Sequence, residues 1–426
     1  MDQTTVILTV AFLGVALVVL LVTWLRIPAF IALAAASVFV GGSAAMRPAE
    51  IASAFQSGVG DTLGFIAMIV GLGTVIGKLL AESGGALVVS RTLVHALGPG
   101  RMDWAMMLSA LLLGLAVFFP VGLVLLAPVL FTLVRDTQSS LLRLGIPMIA
   151  GLSVAHGLTP PHPGPLAAIE RLGADTGRTL LYSIIVGIPV AIVAGPVFGR
   201  FISRRVHVEP GPMAEQLTGD TSAAKPPTLA ATLITILLPV GLMLVTSPLL
   251  AMLAATLLSF YTFGRACGFD RATVLRFAEE SIPPVASVLL VVGAGGGFGR
   301  VLDAAGVDTA IAGVMGTLPL SPLILGWLIA VMLRIAVGSA TVACVTAASI
   351  VAPMAAAMPH VSRELMVVAI GSGSLIASHV NDGGFWLVKE YLNMTVPQTV
   401  ATWTAMETII AVAGLAGVLL LGLLVA

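Results

Sequence analysis

Charge is scarce in this sequence. Asp, Glu, Lys and Arg fill 9% of 426 positions, while hydrophobic residues fill 58%. A soluble chain carries about 25% charged residues to coat its surface, so lipid is the solvent for much of this one. The charges present also cancel, 20 basic against 20 acidic. That balance excludes the basic footprint by which proteins hold nucleic acid. Cysteine is nearly missing: Cys267 and Cys344 stand in unrelated contexts, which excludes a disulfide framework and gives no metal-ligand spacing. No HExxH, GxSxG or paired-cysteine motif occurs, so an enzyme embedded in the membrane has no catalytic constellation to use. Neither a repeated carbonyl filter nor a charged ring is present to make a channel. The short alternating strands of a β-barrel are missing as well, since Ala16-Leu17-Val18-Val19-Leu20-Leu21-Val22 is apolar throughout. Met1-Asp2-Gln3-Thr4-Thr5 lacks a basic leader region, and Val6–Leu25 therefore reads as a retained first span.

What is present is a series of apolar blocks, each about 20 residues long, enough for a helix to cross roughly 30 Å of hydrocarbon. Val6–Leu25 and Thr404–Val425 put both ends of the sequence in the membrane. The expectation is an all-α polytopic membrane protein with about 10–14 membrane segments. One long polar stretch, 204–227, holds Arg204, Arg205, His207, Glu209, Glu215, Asp220 and Lys225 among closely spaced prolines. It reads as a linker between a first membrane repeat, 1–203, and a second, 228–426. Arg200, Arg204 and Arg205 follow an apolar segment, which by the positive-inside bias assigns the linker to the cytoplasm.

The repeat is visible in the residues themselves. Gly71, Gly73, Gly77 and Gly84 match Gly293, Gly295, Gly299 and Gly306 at one constant offset, with Lys78 opposite Arg300. Ala127-Pro128 then matches Ala352-Pro353, and Ala155-His156 matches Ser378-His379, displaced only slightly. Two related halves are the usual build of a secondary transporter, with the site where they meet.

Several apolar segments are hostile to a regular helix. Gly293-Ala294-Gly295-Gly296-Gly297-Phe298-Gly299 stacks glycines that each cost about 1 kcal/mol in a helix. Two readings stand there side by side, a re-entrant hairpin and close helix packing through a GxxxG spacing. The stretch from Gly151 to Pro165 holds His156, Thr159, Pro160, Pro161, His162 and Pro163. Proline removes a donor and drives the residue before it out of the α region, so a broken helix is expected. Its counterpart, Ser378-His379-Val380-Asn381-Asp382-Gly383-Gly384, sets an imidazole, an amide and a carboxylate beside a glycine pair. Ionisable groups at membrane depth are costly and point to function; the plainer reading is an external loop. A further polar island, Arg334 to Thr346, offers hydroxyls at Ser339 and Thr341, whereas Phe118-Phe119-Pro120-Val121-Gly122 in the first half offers none. Any site built there is asymmetric.

At these residues the sequence resembles the gluconate permease (GntP) family. His156-Gly-Leu-Thr-Pro-Pro-His-Pro-Gly-Pro165, Ala377-Ser-His-Val-Asn-Asp-Gly-Gly-Phe-Trp386, Leu333-Arg-Ile-Ala-Val-Gly-Ser-Ala-Thr-Val342 and Trp403-Thr-Ala-Met-Glu-Thr408 are similar to its distinctive stretches. The likeness covers essentially the whole chain. It implies proton-coupled import of gluconate or a related sugar acid across the cytoplasmic (inner) membrane. It also implies two inverted repeats with re-entrant hairpins, in a homodimer that moves its cargo by an elevator motion. The family also carries other small hydroxy or amino acids, such as D-serine, and sodium coupling is the less favoured alternative. The resemblance is weakest at Pro120, in a stretch where many members carry an acidic residue.

Gluconate needs positive potential for its carboxylate and hydrogen-bonding groups for its polyol. Helix N-termini at the breaks supply the first. Thr159, Gly338, Ser339, Thr341 and Asn381 are the candidates for substrate binding. Asp382, His156, His379 and His162 are the candidates to carry the coupled proton, with Asp382 favoured as a carboxylate beside a helix break. No cofactor and no metal are expected. The partners are a sugar-acid anion, protons, the lipid bilayer and a second copy of the chain.

Overall fold

The computed structural model describes residues 3–211, 214, 225–307, 310, 321–358, 361–380 and 382–425. Among these residues every regular element is helical. Among the described residues nine helices are long and apolar enough to cross a bilayer, accompanied by shorter apolar ones. Before the linker run α1 (Gln3–Thr23), α2 (Ala29–Ser43), α3 (Pro48–Glu82), α4 (Gly85–Leu97) and α5 (Met102–Gly114). These are followed by α6 (Phe119–Thr137), α7 (Leu141–Leu158), α8 (Pro163–Leu172) and α9 (Thr176–Ile202). After the linker come α10 (Leu229–Met243), α11 (Pro248–Cys267), α12 (Arg271–Glu280), α13 (Pro283–Ala304) and α14 (Pro322–Val337). The chain closes with α15 (Ala340–Ala357), α16 (Arg363–Gly373), α17 (Gly383–Tyr391) and α18 (Val396–Val425).

The order of elements recurs. Helices starting at Met102, Phe119, Leu141, Pro163 and Thr176 are followed by helices starting at Pro322, Ala340, Arg363, Gly383 and Val396. The spacing between successive starts agrees to within two residues. In both series two successive spans are each interrupted once, between α5 and α6 and between α7 and α8 in the first, and between α14 and α15 and between α16 and α17 in the second; each interruption has a local cause. Proline opens α6 and α8 just inside their first turns, where its missing N–H is harmless. Ser339 and Asp382 cap α15 and α17 by accepting from the backbone N–H of Val342 and Gly384. Gly338, at φ +78°, ends α14 in a left-handed turn that a side chain would strain.

At the glycine-rich stretches the structure takes the packing reading over the hairpin. Gly293–Gly299 lies inside α13 and Gly71–Gly77 inside α3, with no break in either helix. The reason is packing: α13 runs along α3, and Gly58 faces Gly296 across the contact. A Cβ on Gly296 would sit 2.6 Å from the carbonyl oxygen of Gly58. Close backbone approach offsets the poor helix propensity of glycine, which is how helices associate where no hydrophobic force separates them from lipid.

Burial sorts the helices by role. α7 is buried on every face, whereas α1 is mostly open and shows Phe12 outward. Leu257 and Leu423 are likewise exposed, the outward apolar coat of a protein solvated by lipid. Cys267 and Cys344 are both buried and free.

Candidate functional site

The helix interruptions meet around one cavity of about 150 Å³. Phe119 and Pro120 reach it from the start of α6, Ser153 and His156 from the end of α7. Arg334 comes from the last turn of α14, and Ser339, Ala340 and Thr341 from the start of α15. Leu375 follows α16, Asp382 and Gly384 open α17, and Trp403 and Glu407 belong to α18. Three helices, α6, α15 and α17, start at this space and turn the positive ends of their dipoles toward it.

The most organised part is an ion pair. Arg334 is 3% exposed and its Nη2 donates to Asp382 Oδ2 at 2.5 Å. Nη1 donates to the carbonyl of Gly338, tying the guanidinium to the helix end it leaves. Asp382 accepts further hydrogen bonds from the hydroxyl of Ser378 and from Gly384 N–H at 2.9 Å. Ser378 in turn accepts from Trp403 Nε1 at 2.7 Å. Trp403 sits in a π turn, Val400–Thr404, within α18; such a local widening redirects side chains and recurs at functional sites. Three buried groups here keep polar atoms without hydrogen-bond partners among the described residues. They are Arg334 Nε, His156 Nδ1 and both carboxylate oxygens of Glu407.

The expected residues divide. Ser339, Thr341, Asp382 and His156 line the cavity. Gly338 lies just behind it, through its bond to Arg334. Thr159 is turned away and donates to Ala155 O at 2.5 Å, within its own helix turn. His162 is buried and donates from Nε2 to Gly114 O at 2.6 Å, which anchors the break between α7 and α8 to α5. Its ring centroid is 5.0 Å from that of His156. His379 bonds Ala377 O through Nδ1 at 2.8 Å, and the cavity lining does not include it. Asn381 lies outside the described residues. Of the two matched stretches, the second half gives the cavity the hydroxyls of Ser339 and Thr341 and the first gives Phe119 and Pro120, while Ser153 on α7 supplies a first-half hydroxyl.

The sequence reading did not name Arg334, Glu407, Trp403 and Ser153 as site residues. A signal existed for two of them: Arg334 and Glu407 are ionisable residues inside otherwise apolar helices, which is a pointer to function by itself. Ser153 and Trp403 carry no such mark.

The family model for GntP family permease matches residues 5–249 and 244–424. A gluconate permease of Pseudomonas aeruginosa is 46% identical over 427 residues, covering 95% of each chain. A high-affinity gluconate transporter of Escherichia coli is 40% identical, covering 98% of this chain and all of its own. Among solved structures, MtrF of Neisseria gonorrhoeae, described as illuminating a class of antimetabolite efflux pumps, superposes with a TM-score of 0.65 at 14% identity. That superposition covers 97% of this chain and 96% of MtrF.

Proposed function

This chain belongs to the GntP family of permeases, and we propose that it carries gluconate or a closely related sugar acid inward together with protons. A member of that family is a multi-pass membrane transporter and not an enzyme. The observation that carries the choice of cargo is Arg334, a buried guanidinium facing a cavity toward which three helices turn the positive ends of their dipoles. Such a site takes a small organic anion. In this reading the cargo carboxylate takes the place of Asp382 on Arg334. Ser153, Ser339 and Thr341 bond the polyol hydroxyls from the surrounding wall. Asp382 holds Arg334 when the site is empty, so the cation is never left buried and unpaired.

A small amino acid such as D-serine is the second reading, and one observation favours it. Arg334 and Asp382 lie side by side, a cation and a carboxylate that match the two ends of a zwitterion. Protons drive accumulation in this account because a proton loaded with the anion makes the moving cargo neutral. The cytoplasmic placement of the linker rests on Arg200, Arg204 and Arg205. The homodimer rests on the family resemblance.

The test is uptake of labelled gluconate by proteoliposomes, with competition by sugar acids, hydroxy acids and D-serine. Saturable uptake that a protonophore abolishes and that sugar acids compete best supports the reading. Uptake that follows a sodium gradient overturns the coupling ion, and preferred competition by D-serine overturns the cargo.

A further inference from the structure

We propose that Glu407, rather than the ion-paired Asp382, is the group that binds and releases the coupled proton. The proposal rests on the reading of the cavity as a transport site. Glu407 is 1% exposed and lines the cavity from α18. The Ser153 hydroxyl is near enough to act on it, but no donor among the described residues meets either carboxylate oxygen in full hydrogen-bond geometry. Asp382, by contrast, accepts from Arg334, Ser378 and Gly384. A proton on Asp382 disturbs a network of three donors, one of them a guanidinium, whereas a proton on Glu407 disturbs at most its contact with Ser153.

The neighbours of Glu407 make its protonation matter to the cargo. From α14 it faces Arg334, from the start of α17 Asp382, and from α7 His156, with the Ser153 hydroxyl alongside. With the His156 ring neutral and Glu407 ionised, the site holds one cation and two anions, and a third anion is repelled. When Glu407 takes up a proton, one cation and one anion remain. The cargo carboxylate then competes with Asp382 for Arg334 without a second negative charge beside it. Proton uptake therefore favours anion binding. Release of the anion on the far side restores the pressure to lose the proton. The balance is one proton gained by a carboxylate oxygen and the same proton returned, with no bond formed to the cargo.

The experiment compares wild type, Glu407→Gln and Asp382→Asn in lipid by pH-difference infrared spectroscopy and by transport. The expected result is a carboxylic-acid C=O band that titrates in wild type and in Asp382→Asn and is lost in Glu407→Gln. In proteoliposomes Glu407→Gln exchanges cargo across the membrane, but its accumulation under a pH gradient is lost, and so is the pH dependence of exchange. A band that persists in Glu407→Gln, or gradient-driven accumulation by that variant at the wild-type level, overturns the proposal. The infrared band needs no cargo and reports even on a variant that transports nothing. Wild type that shows the Glu407 band yet takes up no gluconate overturns the choice of cargo instead.

Discussion

Arg334 Nη2 lies 2.5 Å from Asp382 Oδ2 across a sequence separation of 48 residues, joining the last turn of α14 to the first turn of α17. The pair closes the cavity floor at two helix breaks at once. Each partner is also held by its own helix end, Arg334 through Gly338 O and Asp382 through Gly384 N–H. Disturbing either residue therefore alters both charge and local backbone order.

Arg334→Ala removes the cation and leaves Asp382 in the cavity wall without its charged partner. Loss of one partner from a buried pair costs of order 3 kcal/mol, so a lower unfolding temperature is expected together with gluconate binding at background level. Arg334→Lys keeps the charge but not the planar fork that spans Gly338 and Asp382. It is expected to fold better than the alanine variant and to bind weakly. Calorimetry of purified protein with and without gluconate checks both; wild-type affinity in Arg334→Ala would remove the guanidinium from the site.

Asp382→Asn preserves the shape of the capping residue but takes from Arg334 the one carboxylate hydrogen-bonded to it when the site is empty. The loaded carrier, with the cargo carboxylate in place of Asp382, is less affected. Exchange of labelled for unlabelled cargo is expected to persist while net accumulation driven by a proton gradient fails. Full accumulation by this variant in proteoliposomes would show that Asp382 is not needed to neutralise the empty site.

Trp403→Phe deletes one donor to Ser378 while keeping an aromatic ring against Phe119, whose ring centroid is 5.2 Å away. A hydrogen bond of this kind contributes about 1 kcal/mol, so a several-fold rise in KM with little change in unfolding temperature is expected. Ser378→Ala, which removes the shared hydroxyl, tests the same path; if neither variant moves KM, the Trp403–Ser378–Asp382 chain does not position the ion pair.

Glycine substitutions separate packing from propensity along α3 and α13. Gly296→Val drives a side chain into the backbone of Gly58 and the hydroxyl of Thr62; overpacking costs about 1–3 kcal/mol, often more at backbone contacts. Gly64→Ala on α3 meets nothing within 4 Å and is expected to be neutral or to stabilise by up to about 1 kcal/mol. Thermal unfolding in detergent distinguishes them, and equal effects would mean the helices are not held by this contact.

Much of the architecture was legible in the residues because lipid imposes simple rules. Sparse charge and long apolar blocks demand helices, since an open backbone in hydrocarbon has no partner. Proline at 160, 161 and 163, and glycine at 383 and 384, mark interruptions through backbone chemistry alone, and the chain breaks there. Glycine at 293–299 left two readings open, since propensity argues for a break but a facing backbone at Gly58 rewards the helix. Propensity is local, and that reward comes from a partner more than 200 residues away in the sequence.

The division at the site follows the same line. The sequence by itself determined the membrane class, the recurring order of segments and the stretches where polar groups enter the bilayer. Tertiary structure alone decided which of those groups meet. It turned Thr159 back onto Ala155, committed His162 to Gly114, paired Arg334 with Asp382 and set Glu407 apart from that pair, its carboxylate outside full hydrogen-bond geometry among the described residues. The physical reason is that a residue's type fixes which bonds it is able to make, while only the packed neighbours fix which of them are made.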